Sequence, residues 1–359
     1  MSPRKSTGST TTPRSLDSAG LTEAALDSRS LGAGGDDRGG DLAEHLAHSA
    51  VRARLFGVHA PSPTVGRYEL QRELGAGGGG MVFAARDPQL DRTVAIKLLH
   101  AGRGEGESAS ARQARMVREA QALARLAHPN VVAIFDVGTY EAPADWPLRK
   151  LVPDRGVFLA MELIDGVDLR AWSSTPRSVS AILAVFLAAG RGLQAAHQAG
   201  LVHRDFKPSN VLVAGEDPPS RVCVVDFGLA RSVGAAPPSG AAVLGDGSLD
   251  GRTLTESGWV MGTPVYMAPE QHEGHAADAR SDQFAFCVAL YEALFGVRPF
   301  RGRTVAELRA SKRAGRITAA TAAAPVPAAV ADALRRGLAT DPAARWPDMA
   351  PLLAVLQRA

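Results

Sequence analysis

The chain has 359 residues, 45% hydrophobic and 21% charged, which supports a sizeable buried core and excludes a wholly disordered chain. A net charge of +3 is too small to single out nucleic acid as a partner, although a pI of 9.1 leaves weak non-specific binding open. Glycine and proline, 37 and 23 residues, make up about 17% of the chain against a usual ~12%, which suggests long loops or tails around a globular body. Cys223 and Cys287 lie in apolar runs with no second ligand pair, so they read as buried thiols of a reduced cytoplasmic protein rather than as a disulfide or a metal site.

Met1–Ser15 is polar and lacks the apolar stretch of a signal peptide. The longest apolar runs, near Val179–Gly190 and Gln283–Val297, fall short of the ~18–20 residues that span a bilayer, so no membrane segment is expected. No Ile, Val, Phe, Tyr or Trp precedes Val51. Such a segment cannot offset its ordering entropy, and residues 1–66 are expected to be a disordered Ser/Thr/Gly-rich tail. Within it Asp41–Phe56 can form a short helix, with Leu42, Leu46, Val51 and Leu55 near one face. Pro61 and Pro63 end any helix there, and order is expected from Arg67.

Strand patterns follow at Arg67–Leu74, Val82–Arg86 and Thr93–Leu98, and Ala109–Ala127 carries Met116, Val117, Ala120, Leu123 and Leu126 at helical spacing. Two more strand-like runs, Val131–Val137 and Val157–Leu163, flank Glu141–Arg155, whose three prolines read as a loop insertion. After Asp168 the Ala- and Leu-rich segments Val179–Ala199, Asp282–Leu294 and Ala328–Leu338 are helical in pattern. Strands followed by helices indicate an α+β protein with two lobes.

Leu74–Val82 reads LGAGGGGMV, placing Gly75, Gly77 and Gly80 in a G-x-G-x-x-G-x-V pattern. Glycines let a backbone approach a polyphosphate closely. A dinucleotide turn would need a helix directly after the third glycine, but Met81–Ala85 reads as a strand, so the loop is a hairpin tip of the kind that covers a nucleotide. Lys97 closes the apolar run Val94-Ala95-Ile96, and Glu119 sits on the next helix among positions facing the sheet. A lysine held by such a glutamate can touch two phosphates. On its own, Lys97 reads equally well as a solvent-facing strand end.

His203-Arg204-Asp205-Phe206-Lys207-Pro208-Ser209-Asn210 and Val225-Asp226-Phe227-Gly228-Leu229 follow, then Ala268-Pro269-Glu270, Asp282 and Arg345. With the glycine loop, Lys97 and Glu119, this set resembles, over roughly Arg67–Leu356, the eukaryotic-like serine/threonine protein kinases of bacteria. The resemblance implies a two-lobed kinase fold: an N-lobe of antiparallel sheet plus one helix at 67–163 and a mainly helical C-lobe at 164–359. It implies ATP with Mg2+ (Mn2+ as an alternative), protein substrates, no nucleic acid, and dimerisation for trans-autophosphorylation. Asp205 is then the acceptor of the substrate hydroxyl proton, and Lys207 lies beside the γ-phosphate. Asn210 and Asp226 are the metal ligands, and Thr263 positions the substrate hydroxyl. Leu74, Gly75, Ala76, Gly77, Gly78, Gly79, Gly80, Met81 and Val82 would cover the nucleotide. Val82 and Ala95 would sandwich the adenine below the gatekeeper Met161, and the Glu162 carbonyl and Ile164 amide would read its edge. Asp168 would hold the ribose, unless it only caps a helix. An ion pair is expected between Glu270 and Arg345.

The sequence departs from the family pattern at three points. Gly77–Gly80 is four glycines where bacterial relatives often carry Gly-Gly-Met-Gly, which loosens the tip. Asp226 to Glu270 runs 45 residues, long for an activation segment, and its Gly/Ala/Pro/Ser-rich middle, Val233–Gly251, is expected to be disordered without phosphorylation. Past that middle, Thr255, Ser257 and Thr253 precede Thr263 where relatives carry activating phosphates, for which Arg204, joined by Arg231, offers guanidinium groups. The chain ends at Ala359, just past the last helix, so no sensor domain or anchor is expected. Two other functions remain open: a nucleotide-binding pseudokinase scaffold, disfavoured by intact Lys97, Asp205 and Asp226, and a small-molecule kinase, disfavoured by Gly262-Thr263-Pro264 and Ala268-Pro269-Glu270.

Overall fold

A computed structural model of the chain describes residues 63–77, 80–99, 108–142, 146, 152, 154–215, 218–228, 253–254, 260–261, 264–319 and 325–359. The tail before Pro63, with its candidate helix Asp41–Phe56, lies outside the described residues, as do Gly78, Gly79, the stretch 229–252, Thr255, Ser257 and Thr263.

Alternating apolar residues build the first lobe. Six strands form one antiparallel sheet: β1 (Thr64–Val65), β2 (Tyr68–Gly77), β3 (Gly80–Asp87), β4 (Arg92–Leu99), β5 (Ile134–Glu141) and β6 (Arg155–Glu162), in the order β1-β2-β3-β4-β6-β5. Order therefore begins before Arg67, because Val65 is buried and pairs with Tyr68. Along β4 the side-chain period of two sends Val94, Ile96 and Leu98 into a core with Tyr68, Leu70, Phe83 and Phe158, and turns Ala95, Lys97 and Leu99 to the opposite face. Helix α1 (Ala109–Ala124), capped by Ser108 Oγ accepting from the Ala111 amide, covers that second face by packing Met116 and Ala120 on Val157 and Leu159.

Two local expectations are corrected. Glu141–Arg155 is not merely a surface loop: Trp146 and Val152 are buried in the N-lobe core, with Trp146 at 5.9 Å from the Tyr140 ring, and Arg155 already belongs to β6. The expected strand Val131–Val137 starts only at Ile134, because Val131 instead bridges to Val224 of the second lobe.

The second lobe contains the three-stranded sheet β7 (Val167–Asp168), β8 (Val211–Ala214) and β9 (Arg221–Val224), the short pair β10 (Thr253–Leu254) and β11 (Val260–Met261), and a helical body. Its helices are α2 (Leu169–Trp172), α3 (Val179–Gln198), α4 (Pro269–His272), α5 (Ala279–Phe295), α6 (Val305–Arg313), α7 (Ala328–Gly337) and α8 (Met349–Gln357). α5 is buried around its whole circumference, Phe284 to Leu290 without interruption, so it serves as the axis against which α3 and α7 pack. α3 ends one residue before the expected Val179–Ala199, and its 20 residues could by length and composition cross a membrane; half of it is buried, with Ile182, Phe186, Ala189 and Leu193 in the lobe's core. Cys223 and Cys287 are buried free thiols, as expected, and burial pushes the Cys287 thiol up to about 12.

Candidate active site

The candidate residues converge from several short segments where the lobes meet. β2 and β3 form the hairpin anticipated from the glycine pattern, closing at Gly77 opposite Gly80. The third glycine has a structural reason of its own. At φ 133° a Cβ on Gly80 would lie 1.8 Å from the Leu98 carbonyl oxygen, so only glycine lets β3 lie against β4 there. Under the hairpin, Ala95, Val132, Met161 and Val225 form a small apolar cluster completed by the partly buried Val82, Leu163, Ile164 and Leu212. Val82, Ala95, Met161 and Ile164 were expected in this slot; Val132 and Leu212 were not. Leu212 was legible in principle, standing two residues after Asn210 on an alternating strand.

The Glu162 amide donates to the Ala133 carbonyl at 2.9 Å. Its carboxylate is paired with Arg221, with Nη2 at 2.7 Å from Oε2, a partner 59 positions away that no motif marks. Asp168 Oδ1 accepts from the Ala171 amide at 2.7 Å, so the capping reading describes this carboxylate, and the strand pair Asp168–Leu212 sets it beside the apolar slot.

The loop between α3 and β8 is held by buried polar contacts. Asp282, on the first turn of α5, accepts from the His203 amide at 2.7 Å, the Arg204 amide at 2.8 Å and His197 Nε2 at 2.8 Å. His203 is fully buried and its Nδ1 accepts from the Asp205 amide, so Nε2 donates to the Val225 carbonyl at 2.9 Å. Burial outweighs the neighbouring carboxylates and holds this imidazole below its ordinary value, hence neutral, which suits that tautomer. Arg204 and Asp226 adopt left-handed φ of 65° and 60°, unusual outside glycine, and such strain persists only where surrounding contacts impose it.

Asp205 Oδ2 lies 3.1 Å from Lys207 Nζ, and Asn210 Nδ2 donates to the Asp205 carbonyl at 2.8 Å, which leaves the Asn210 side-chain oxygen as an acceptor. Lys97 is buried with its Nζ 2.8 Å from Asp226 Oδ1. Burial acts to raise the Asp226 carboxyl, but the Lys97 ammonium against it prevails and holds it below the usual carboxylate range.

The expected Lys97–Glu119 pair is not formed. Glu119 Oε2 lies 3.5 Å from Arg204 Nη1, while Lys97 is taken by Asp226, so the two cations and two carboxylates are paired crosswise. The physical reason is proximity: Arg204 is the cation within reach of Glu119 on α1, while the Asp226 carboxylate stands 2.8 Å from Lys97. Behind this pair lies a cavity of about 380 Å3 lined by Arg115, Arg118, Glu119, Arg204 and Phe227 among others.

Further out, Glu270 and Arg345 form the anticipated bidentate pair, with both N···O distances 2.8 Å. Gln271 ties this end of the segment to the loop, its side-chain nitrogen donating to the Arg204 carbonyl at 3.2 Å.

Residues 68–350 match the family model for the protein kinase domain. The chain belongs to the protein kinase family. Among curated kinases it is 37% identical over 244 residues to the serine/threonine-protein kinase PknB of Mycobacterium tuberculosis, covering 67% of this chain and 34% of that protein. It is 38% identical over 239 residues to PknA of the same organism, covering 66% of this chain and 48% of that kinase. The chain thus spans between a third and a half of the length of these relatives. Crystal structures of the Mycobacterium tuberculosis PknI kinase domain superpose with a TM-score of 0.56 at 24% identity, covering 84% of this chain and 99% of theirs, and show the two-lobed kinase fold. As a family, protein kinases use ATP and a divalent metal. Of the kinase residues expected here, Lys97, Asp205, Lys207, Asn210 and Asp226 come together, Glu119 is engaged elsewhere, and Thr263 and the phosphosite candidates Thr255 and Ser257 fall outside the described residues. Thr253 starts β10.

Proposed function

We propose that the chain transfers the terminal phosphoryl group of ATP to serine and threonine hydroxyls of cytoplasmic proteins, its own included, with Mg2+ as the metal and Mn2+ as an alternative. One observation carries this reading: Lys97, Asp205, Asn210 and Asp226 face one cleft beside a small apolar slot. The names and identities of PknB and PknA support it.

The apolar slot takes the adenine between Val82 and Ala95 above and Leu212 below, with the strand Arg155–Glu162 and Ile164 at its edge. Lys97 holds the nucleotide's phosphates, its stem fixed by burial in the sheet. The residues fit a magnesium ion. Asp226 keeps its second carboxylate oxygen, the Asn210 side-chain oxygen is left as an acceptor, and among the described residues no cage of three or more His, Cys, Asp or Glu forms. Two protein oxygens with water and phosphate completing the shell is the usual arrangement for this ion. When bound, the metal neutralises charge on the phosphates.

Asp205 orients the acceptor hydroxyl and takes its proton as the hydroxyl oxygen bonds to the γ-phosphorus and the bond to the bridging oxygen of ADP breaks. Lys207, 3.1 Å from that carboxylate, offsets charge on the transferred group. Thr263 assists in positioning the hydroxyl. The crosswise pairs describe a resting arrangement. A phosphate on Thr255 or Ser257, reaching the arginine-lined cavity, would compete with Glu119 for Arg204 and release Glu119 to Lys97. Dimerisation serves such autophosphorylation in trans.

The test is transfer of radiolabel from γ-labelled ATP by the purified chain, alone and with a generic basic protein. Label on either protein that is lost in Asp205→Asn supports the proposal. Nucleotide binding without transfer would favour a scaffold, and transfer only to small acceptors a metabolite kinase.

A further inference from the structure

α6 ends on the basic run Arg309-Ala310-Ser311-Lys312-Arg313, side chains of a kind that ordinarily face solvent. Lys312 is instead 1% exposed, and its Nζ lies 2.8 Å from the Pro264 carbonyl oxygen, 2.8 Å from that of Val265 and 2.6 Å from that of Met267. Three carbonyls match the three N–H donors of an ammonium. His272 Nε2 stands 3.2 Å from Nζ and 3.1 Å from the same Pro264 oxygen. Burial, with Lys312 and Arg309 adding to it, lowers this imidazole to about 3, so it is neutral. Burial likewise pulls the Lys312 ammonium well below the ordinary lysine value, and the Glu270 carboxylate, itself committed to Arg345, opposes this only in part.

A lysine is rarely buried, and its charge is tolerated inside only where its donors are all bonded. An apolar side chain would fill the same space without that cost, so the convergent carbonyls are the reason for a cation here. Nor is Lys312 needed to dock α6 on α4: Arg309 donates to the His272 carbonyl, and Arg313 pairs with Glu273 at 3.0 Å. Lys312 reaches past those contacts to the backbone directly after Thr263.

We propose that Lys312 is a positioning residue for the protein substrate: it fixes the Pro264–Met267 backbone that directly follows Thr263, read above as positioning the acceptor hydroxyl, and so sets affinity for the acceptor but not for ATP. The inference rests on the protein-kinase reading above. It places one pin at 264–267, and the Glu270–Arg345 pair places the other at the segment's end.

The test compares Lys312→Met with the wild type and with Arg313→Ala, which breaks only the exposed contact of α6 with Glu273. KM for a generic basic protein should rise about tenfold or more in Lys312→Met, with KM for ATP and kcat within about twofold, and Arg313→Ala should behave as wild type. Hydrogen exchange of amides 265–268 should quicken in Lys312→Met while those of β8 and β9 do not change. Should Lys312→Met fail to fold, Lys312→Gln, which keeps two donors, is measured in the same way. An unchanged acceptor KM, or an ATP KM that rises equally, in a folded variant overturns the proposal. A wild type that phosphorylates no protein overturns the kinase reading and this one with it, whereas an active wild type with an indifferent Lys312 variant overturns this one alone.

Discussion

Arg345→Ala should unfold the second lobe at a markedly lower temperature. All five guanidinium N–H groups are engaged: two on the Glu270 carboxylate at 2.8 Å each, and three on the carbonyls of Arg280, Ala339 and Thr340 at 2.9, 2.9 and 3.2 Å. The arginine is 1% exposed. Its removal strands the Glu270 carboxylate, whose side chain is 13% exposed, with Ser281 Oγ at 2.7 Å as its remaining side-chain donor. Breaking a buried pair from one side costs ~3–5 kcal/mol, and in a domain of this size each kcal/mol lowers Tm by ~2–4 °C, so the expected fall is on the order of 6–20 °C. The pH dependence follows from the same contacts. Burial acts to raise the Glu270 carboxyl, but Arg345 and Ser281 prevail and hold it below its ordinary 4.5 in the folded state. A depressed folded pKa stabilises above the unfolded pKa, and that stability is lost as pH falls through the folded value. The Tm gap between wild type and variant should therefore be full at pH 7 and narrow from about pH 5 downwards. Calorimetry across that range reads both effects. A variant melting within a degree of wild type at pH 7, or a gap that ignores pH, would refute the reasoning.

Lys97→Met and Asp205→Asn should each lower phosphoryl transfer at least ~10²–10³-fold while far-UV circular dichroism stays unchanged, because both act on charge in the cleft; near-normal turnover would overturn the site assignment. Mass spectrometry after incubation with ATP and Mg2+ should find phosphate on Thr255 or Ser257, and a Thr255→Ala/Ser257→Ala double variant should lose most activity toward other proteins; full activity would remove the switch and leave the kinase assignment standing. Deleting residues 1–60 should leave Tm unchanged, whereas extending the deletion to residue 66 removes the buried Val65 of β1 and should cost ~1.5–3 kcal/mol; equal melting of the two truncations would show that β1 contributes nothing.

What the sequence determined alone is what short-range chemistry dictates. The glycine hairpin, the alternation along Arg92–Leu99 that turns Lys97 away from the core, and the loop carrying Asp205 and Asn210 are each set by a handful of neighbouring residues. Their spacing identified the family and the cleft. Partner choice was not legible, because it depends on which charges the two lobes bring within a few ångströms. Lys97 meets Asp226 rather than Glu119, and Arg221 takes the carboxylate of Glu162 from 59 positions away. Burial of single residues in polar surroundings was equally hidden. Trp146 sits in a proline-rich insertion and Lys312 in a basic helix end, yet both are inside, because distant backbone and side chains close around them. Local pattern names a residue's element and face; only long-range packing decides what stands opposite it, and hydrogen bonding and charge pairing are properties of that opposition.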